Sequence, residues 1–328
     1  MPNTAKMRAA AIFGLGSSTK DLKPFQKNSD ATWLVGLPAS SSEADAILIF
    51  GGDGTVHRHL AQLVKLQLPV LVLPCGSGND FARALNLRSI GDSLAAWRKF
   101  SSAGGNVRTI DLGLIKALDP EGVGAATVAA EADPNPERVA ARLKPCPDTN
   151  PRGTGHYFCC VGGVGLDGEI ARRANELPRW LRGHGGYVLS LVPALFRFAP
   201  LPMKIMVADS ERPDVLVERS AAPTVLAAFA NAPTYGGGMK IAPRAQLDDG
   251  QLDICVVSDL DKFKLFCLFP TVYFGRHLGI PQVDYFQATR LRVETESPLD
   301  VYADGEYVCR TPIEVSVARG ALRVIVPG

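Results

Sequence analysis

The sequence predicts an α/β N-terminal domain with a doubly wound sheet, followed by a β-rich C-terminal domain built as a sandwich. Three observations predict it. Over residues 1–115 apolar runs alternate with helical periodicity, the order of an open parallel sheet. Beyond the middle of the chain, short strand-like segments dominate. A length of 328 residues also corresponds to about two domains. The expected boundaries are 1–115 and 116–317, with an insertion at 119–153. The last strand, about 318–328, is expected to return to the first domain.

Arg8 to Gly14 reads as a strand and Thr32 to Gly36 as a short extended segment. Ala44 to Phe50 ends in a charge-free apolar run of the kind buried on both faces of a parallel sheet. Thr55 to Leu66 is helical, with Val56, Leu60, Leu63 and Val64 near one face. Val70 to Leu73 is a second buried strand, and 79–87 and 90–100 are helices. Residues 119–153, with prolines at 120, 134, 136, 145, 147 and 151, read as a surface insertion. Strands then follow at Tyr157–Val161, Lys204–Ala208, Val215–Arg219, Thr224–Ala230, Leu252–Val257, Arg290–Glu294, Val301–Ala303, Glu306–Arg310, Ile313–Val317 and Leu322–Val326. Helical stretches near 168–198 and 261–277 interrupt them.

Apolar residues at 46% and charged residues at 21% exclude wholesale disorder and a fibrous repeat. A net charge of +2 is too balanced for a dedicated nucleic-acid binder. The seven cysteines are odd in number, form no CxxC and are too scattered for a zinc site, so they read as small hydrophobes in a reducing cytoplasm. The longest uncharged window, Ser220 to Met239, holds two prolines and a triple glycine and cannot be a lipid-exposed helix. The N-terminal apolar stretch fits a first strand better than a signal peptide.

The strongest chemical signal is Gly51-Gly52-Asp53-Gly54-Thr55, between an apolar strand and a helix. A strand end, a glycine turn and a helix N-terminus aim backbone N–H groups at one point, which attracts phosphate. A carboxylate there suggests a Mg²⁺ between it and the phosphate, or a grip on a hydroxyl; the plain alternative is a helix cap. One strand later, Gly76-Ser77-Gly78-Asn79-Asp80 joins strand to helix in the same way. Loops at the carboxyl ends of neighbouring strands line one crevice. Asp111, one strand further on, is expected nearby, giving three aspartates around a Mg-nucleotide site. Gly163 to Gly168 is a literal GxGxxG, but it lacks the acidic residue that a dinucleotide site needs about 20 positions on. Its glycines are expected to let a linker pass close to the cleft. His57 and His59, spaced i,i+2, do not make a metal pair on a helix.

GGDGT followed by PCGSGNDFAR resembles the diacylglycerol kinase catalytic family, whose fold is NAD kinase-like and which includes sphingosine, ceramide and bacterial lipid kinases. The likeness continues through Gly162–Asn175, Asn231–Gly238 and Ala242–Asp253, and ends at Ala303-Asp304-Gly305-Glu306. It spans nearly the whole chain except 119–153. The later motifs are those of the lipid-kinase branch rather than of NAD kinases. The resemblance implies ATP and Mg²⁺ as cofactors. Nucleotide is expected at Gly14, Gly16, Ser17, Gly51, Gly52, Asp53, Gly54, Thr55, Gly76, Ser77, Asn79, Asp80 and Asp111. Glu306 matches the family's proton acceptor, with Asp53 and Asp304 also catalytic. A structural Mg²⁺ is implied at Asp249 with Gln246 and Gln251, where a plain Asp-Asp-Gly turn is the alternative. Asp-Gly between two strands is itself a hairpin signal, compatible with a tip that projects Glu306.

Two departures stand out. His57-Arg58 replaces the family's usual polar-Glu pair, and Phe13-Gly14-Leu15-Gly16-Ser17-Ser18 lacks its Asn-Pro. The expected function is ATP-dependent phosphorylation of a lipid hydroxyl, diacylglycerol- or sphingoid-type, by a cytoplasmic, peripherally membrane-associated enzyme. Tyr187–Phe198 and Phe263–Phe274, with Arg179, Arg182, Lys262 and Lys264 nearby, are candidates for an acyl pocket or an interfacial face, or for core or homodimer packing. A soluble-acceptor kinase and a non-catalytic nucleotide or lipid sensor are the alternatives.

Overall fold

A charge-free run such as Ala46-Ile-Leu-Ile-Phe-Gly51 has to be covered on both faces, and β3 (Ala46–Gly51) is buried at every position. It lies at the centre of a parallel sheet, between β1 (Arg8–Phe13) and β4 (Val70–Pro74), with β2 (Thr32–Val35) at the edge. The computed structural model describes residues 6–118, 155–166, 168–170, 198–209 and 211–328. The proline-rich insertion, Asp167, most of the helical stretch near 168–198 and nearly all of Tyr187–Phe198 lie outside the described residues.

Helices cover this sheet. α1 (Thr19–Gln26) opens with a Ser18–Asp21 capping box, and α4 (Ile90–Ala103) with a Ser89–Asp92 box. α1 and α4 pack together, with Phe25 and Trp97 fully buried. α2 (Asp53–Leu66) turns Val56, Leu60 and Leu63 inward and lies against β3. α3 (Asp80–Ala84) is one short turn beyond β4. α1 is not readable in the sequence, because its polar run and internal Pro24 hide its period.

β5 (Val107–Ala117) and β16 (Ile313–Ile325) form a long antiparallel ribbon that crosses the molecule. Near its end β16 runs parallel to β4, at Val324 and Val70; near its start it pairs antiparallel with β13 (Arg290–Thr295). The two strands expected at Ile313–Val317 and Leu322–Val326 are therefore one, irregular between Ala318 and Leu322. β13 continues through β8 (Leu201–Ala208) to β9 (Leu216–Ser220), and β6 (His156–Phe158) pairs with β5.

The second layer is antiparallel: β12 (Val283–Ala288), β11 (Leu252–Ser258), β10 (Pro223–Ala230), β7 (Val161–Gly165), β14 (Asp300–Ala303) and β15 (Glu306–Arg310). Phe158, Val164, Ile205, Phe229, Ile254, Leu291, Val301 and Val315 belong to one buried core in this half. The other core runs from Ile47, Phe50 and Leu71 to Val225 and Ala228, so both halves share it.

Two expectations are corrected here. Tyr157–Val161 is not one strand; it breaks at Cys159-Cys160 into β6 and β7, which pair with different partners. The GxGxxG glycines do not ease a linker past the cleft. Gly163 and Gly165 lie in β7, an interior strand, and at Gly165 a Cβ would stand 2.6 Å from the Val225 carbonyl oxygen. Among the described residues, no helix is long and apolar enough to cross a membrane. Cys159, Cys160 and Cys255 are buried, whereas Cys267 is exposed.

Candidate active site

Two glycine loops meet at the carboxyl ends of β3 and β4, as neighbouring parallel strands require. Their backbones touch: a Cβ on Gly52 would strike the Gly78 carbonyl and stand 3.0 Å from the Gly76 Cα. Asp53 N–H donates to the Gly78 carbonyl at 3.1 Å. Asn79 clamps its own loop, accepting from Gly76 N–H at 3.1 Å and donating to the Gly76 carbonyl at 2.7 Å. Ser77 is exposed at the loop's tip. Around the first loop, Gly14 and Gly51 both back onto the Thr55 side chain. The Ser17 hydroxyl donates to the Phe50 carbonyl at 2.6 Å and ties the Gly14–Gly16 turn to β3.

Asp53 caps α3 rather than its own helix. Its two oxygens accept from Asp80 N–H at 2.9 Å and Phe81 N–H at 3.0 Å. Burial and then the charge of Asp80, with a smaller push from Asp304, raise its carboxyl to about 6, against the pull of those two N–H groups. Asp80 is 2% exposed. One of its oxygens accepts from Arg83 and the other from Gly237 N–H at 2.8 Å, so the Gly236–Gly238 loop docks on it.

The Asp304-Gly305 turn arrives from the far end of the chain. β14 and β15 pair with Ala303 opposite Glu306. Asp304 at φ 51 and Gly305 at φ 84 give the left-handed pair that a two-residue hairpin needs. Asp304 faces inward and accepts from Cys159 N–H and Cys160 N–H, both at 2.8 Å. Glu306 is exposed, and its Oε1 lies 3.0 Å from the point where a Cβ on Gly54 would stand. Thus Asp53, Asp80 and Asp304 are brought together, with Glu306 over the first turn of α2.

Asp111 is held differently. It is buried, and its two oxygens accept from Gly250 N–H and Gly320 N–H, each at 2.7 Å. It fastens the 247–250 turn to the irregular stretch of β16. In that turn Asp249 accepts from Gln251 N–H at 3.0 Å and from the Gln287 amide at 3.2 Å. Gly250 takes φ 74, and Gln246 is exposed. Among the described residues, no three His, Cys, Asp or Glu side chains are grouped so as to hold a metal ion.

Residues 15–115 match the diacylglycerol kinase catalytic domain, and residues 161–326 match the YegS C-terminal NAD kinase beta sandwich-like domain. The chain belongs to the diacylglycerol kinase family. It is 31% identical to a diacylglycerol kinase of Mycobacterium tuberculosis, over 88% of this chain and 79% of that one. It is 25% identical to the putative lipid kinase YtlR of Bacillus subtilis, over 85% and 79%. The fold is that of a putative diacylglycerol kinase from Bacillus anthracis, with a TM-score of 0.66 at 21% identity and 98% of each chain covered.

The diacylglycerol kinase motifs thus converge, and the family's departure at His57 acquires a role. His57 Nδ1 lies 3.3 Å from Asp304 Oδ2, with both side chains largely buried. It joins the first turns of α2 to the hairpin tip 247 positions later in the chain. Burial, then His57, holds the nearby His156 below the usual histidine range. In the sequence His57 is a departure from the family pattern and half of a rejected metal pair with His59. Nothing local signals its partner. The Cys159 and Cys160 amides and the Gly237 amide were equally unreadable, because backbone N–H groups carry no side-chain signature.

Proposed function

We propose that the protein transfers the γ-phosphoryl group of ATP to a hydroxyl of a membrane lipid, of the diacylglycerol or sphingoid type, at the cytoplasmic face of a membrane. The observation that carries this is the position of Glu306 over Gly54, where α2 begins and Asp53, Asp80 and Asp304 cluster. The N-terminus of α2 and the close-packed glycine loops favour the nucleotide's phosphates. Glu306 accepts the proton of the lipid hydroxyl as the new P–O bond forms, because a neutral alcohol is a poor nucleophile. Asp304 anchors the hairpin that carries Glu306, through three donors.

The donor set fits Mg²⁺. It consists of carboxylate oxygens, and Asp53 is held up by burial and then by its acidic neighbours, whose share a cation would relieve. Mg²⁺ is characteristically bound by one or two carboxylates together with substrate phosphates. Asp53 and Asp80 would hold it, where it would neutralise charge on the phosphates.

The test is transfer of labelled γ-phosphate from ATP to a lipid panel in mixed micelles, with NAD as a soluble acceptor. Wild type should label a lipid, and Glu306→Gln, at an exposed position, should fold and lose about 10²–10⁴-fold in rate. Phosphorylated NAD with no labelled lipid would overturn the reading.

A further inference from the structure

The helix α5 (Lys262–Tyr273) is oriented against the usual rule for a surface helix. Leu265, Phe269 and Val272 pack on the shared core. The opposite side carries Phe263, Phe266, Cys267, Pro270 and the capping residue Phe274, all exposed. At about 100° per residue these five fall within an arc of roughly 100°. Phe263 is 70% exposed, Phe266 43% and Phe274 72%. Lys262 and Lys264, both exposed, emerge on either side of the stripe at its N-terminal end, and exposed Arg276 lies just beyond its other end. The acidic N-cap, Asp261, turns its carboxylate onto the N–H groups of Phe263 and Lys264.

The helix that carries the stripe is tied through one loop to the candidate active site. Lys240 N–H donates to the Val272 carbonyl at 3.1 Å, and the same loop places Gly237 N–H on Asp80. An aromatic stripe edged by lysines, one loop away from the cluster of aspartates, matches the chemistry of an anionic bilayer. A second copy of the chain fits less well. At about 200 Å² per Phe the three rings offer roughly 400 Å², half of the ~800 Å² per partner typical of a stable interface.

We infer that the outward face of α5 (Phe263, Phe266, Pro270 and Phe274, with Lys262 and Lys264) inserts into the headgroup region of an anionic membrane and seats the catalytic cleft over the lipid. Its catalytic purpose rests on the lipid-kinase reading; its binding does not. The test is flotation of the full-length chain with vesicles of phosphatidylcholine containing about one third phosphatidylglycerol, compared with phosphatidylcholine alone. Wild type should float with the anionic vesicles. Phe263→Ser/Phe274→Ser should lower partitioning at least about tenfold, and Lys262→Glu/Lys264→Glu should lower it and remove its salt dependence.

Activity separates this inference from the reading it rests on. The Phe263→Ser/Phe274→Ser variant should phosphorylate a dispersed short-chain diacylglycerol like wild type, yet lose about tenfold on the same headgroup embedded in vesicles. A wild type that floats but labels no lipid would sink the kinase reading and keep the docking face. Equal flotation of wild type and the Phe variant would overturn the docking face. So would a wild-type dimer in sedimentation that the Phe variant splits, without flotation of either.

Discussion

Replacing Asp53 by Asn removes one charge from the point where three carboxylates meet, and the effect on stability should depend on pH. In the folded protein, burial and Asp80 raise the Asp53 carboxyl to about 6 from an ordinary 3.8. That gap corresponds to about 3 kcal/mol. Between roughly 3.8 and 6 the folded state holds a proton that the unfolded chain has released, so stability falls as the pH rises. Above 6 both states are ionised and the whole penalty is present. About 2 kcal/mol of it develops between about pH 4.5 and 8. Asparagine escapes this term and incurs another: it offers one acceptor where two backbone N–H groups need one each, costing about 1–3 kcal/mol at any pH. Wild type should therefore be the more stable protein at pH 4.5, and the difference should shrink by about 2 kcal/mol or change sign at pH 8. Urea denaturation of both proteins at the two pH values, with chelator and no nucleotide, measures this. Titrating groups distant from Asp53 cancel in the comparison. A difference that stays constant with pH would refute the claim that Asp53 is electrostatically strained.

Three further outcomes follow from the same geometry. His57→Ala should slow phosphoryl transfer about tenfold, because one hydrogen bond of about 1.4 kcal/mol holds Asp304 to α2, and His57→Asn should restore part of the rate. Equal rates in all three proteins, measured at saturating ATP, would remove His57 from the positioning of the hairpin. Asp111→Ala leaves two amides without acceptors and should cost about 2–5 kcal/mol in urea denaturation, while the folded fraction keeps its ATP affinity. A folded Asp111→Ala protein with lost ATP affinity would return Asp111 to the nucleotide site. Gly52→Ala has no room, since its Cβ meets backbone atoms of both Gly76 and Gly78. Titration calorimetry should show ATP affinity reduced at least about tenfold, by more than 1.4 kcal/mol.

The fold class was legible because buried parallel strands leave a strong mark. A charge-free run such as Ala46–Gly51 has few other homes, and two strand–glycine–helix junctions on neighbouring strands must open into one crevice. The hairpin at Asp304-Gly305 was legible from its turn chemistry. β12 and α1 were not, since a half-exposed strand and an eight-residue polar helix carry weak periodicity. The hydrogen-bond partners of Asp111 were hidden for a related reason. Counting strands put it near the glycine loops, but the direction of a side chain depends on where a strand twists and what it meets.

The alternation of elements, the turns and the family motifs were therefore readable from the chain alone, because each depends on residues close together in it. Tertiary structure alone decided which distant groups became partners: His57 with Asp304, Asp80 with the Gly237 amide, and Asp111 with Gly250 and Gly320. It also decided which side of α5 faces water. That helix is apolar nearly all round, so its periodicity cannot name the buried face. Only the packing of Leu265, Phe269 and Val272 against the core leaves the phenylalanines outside.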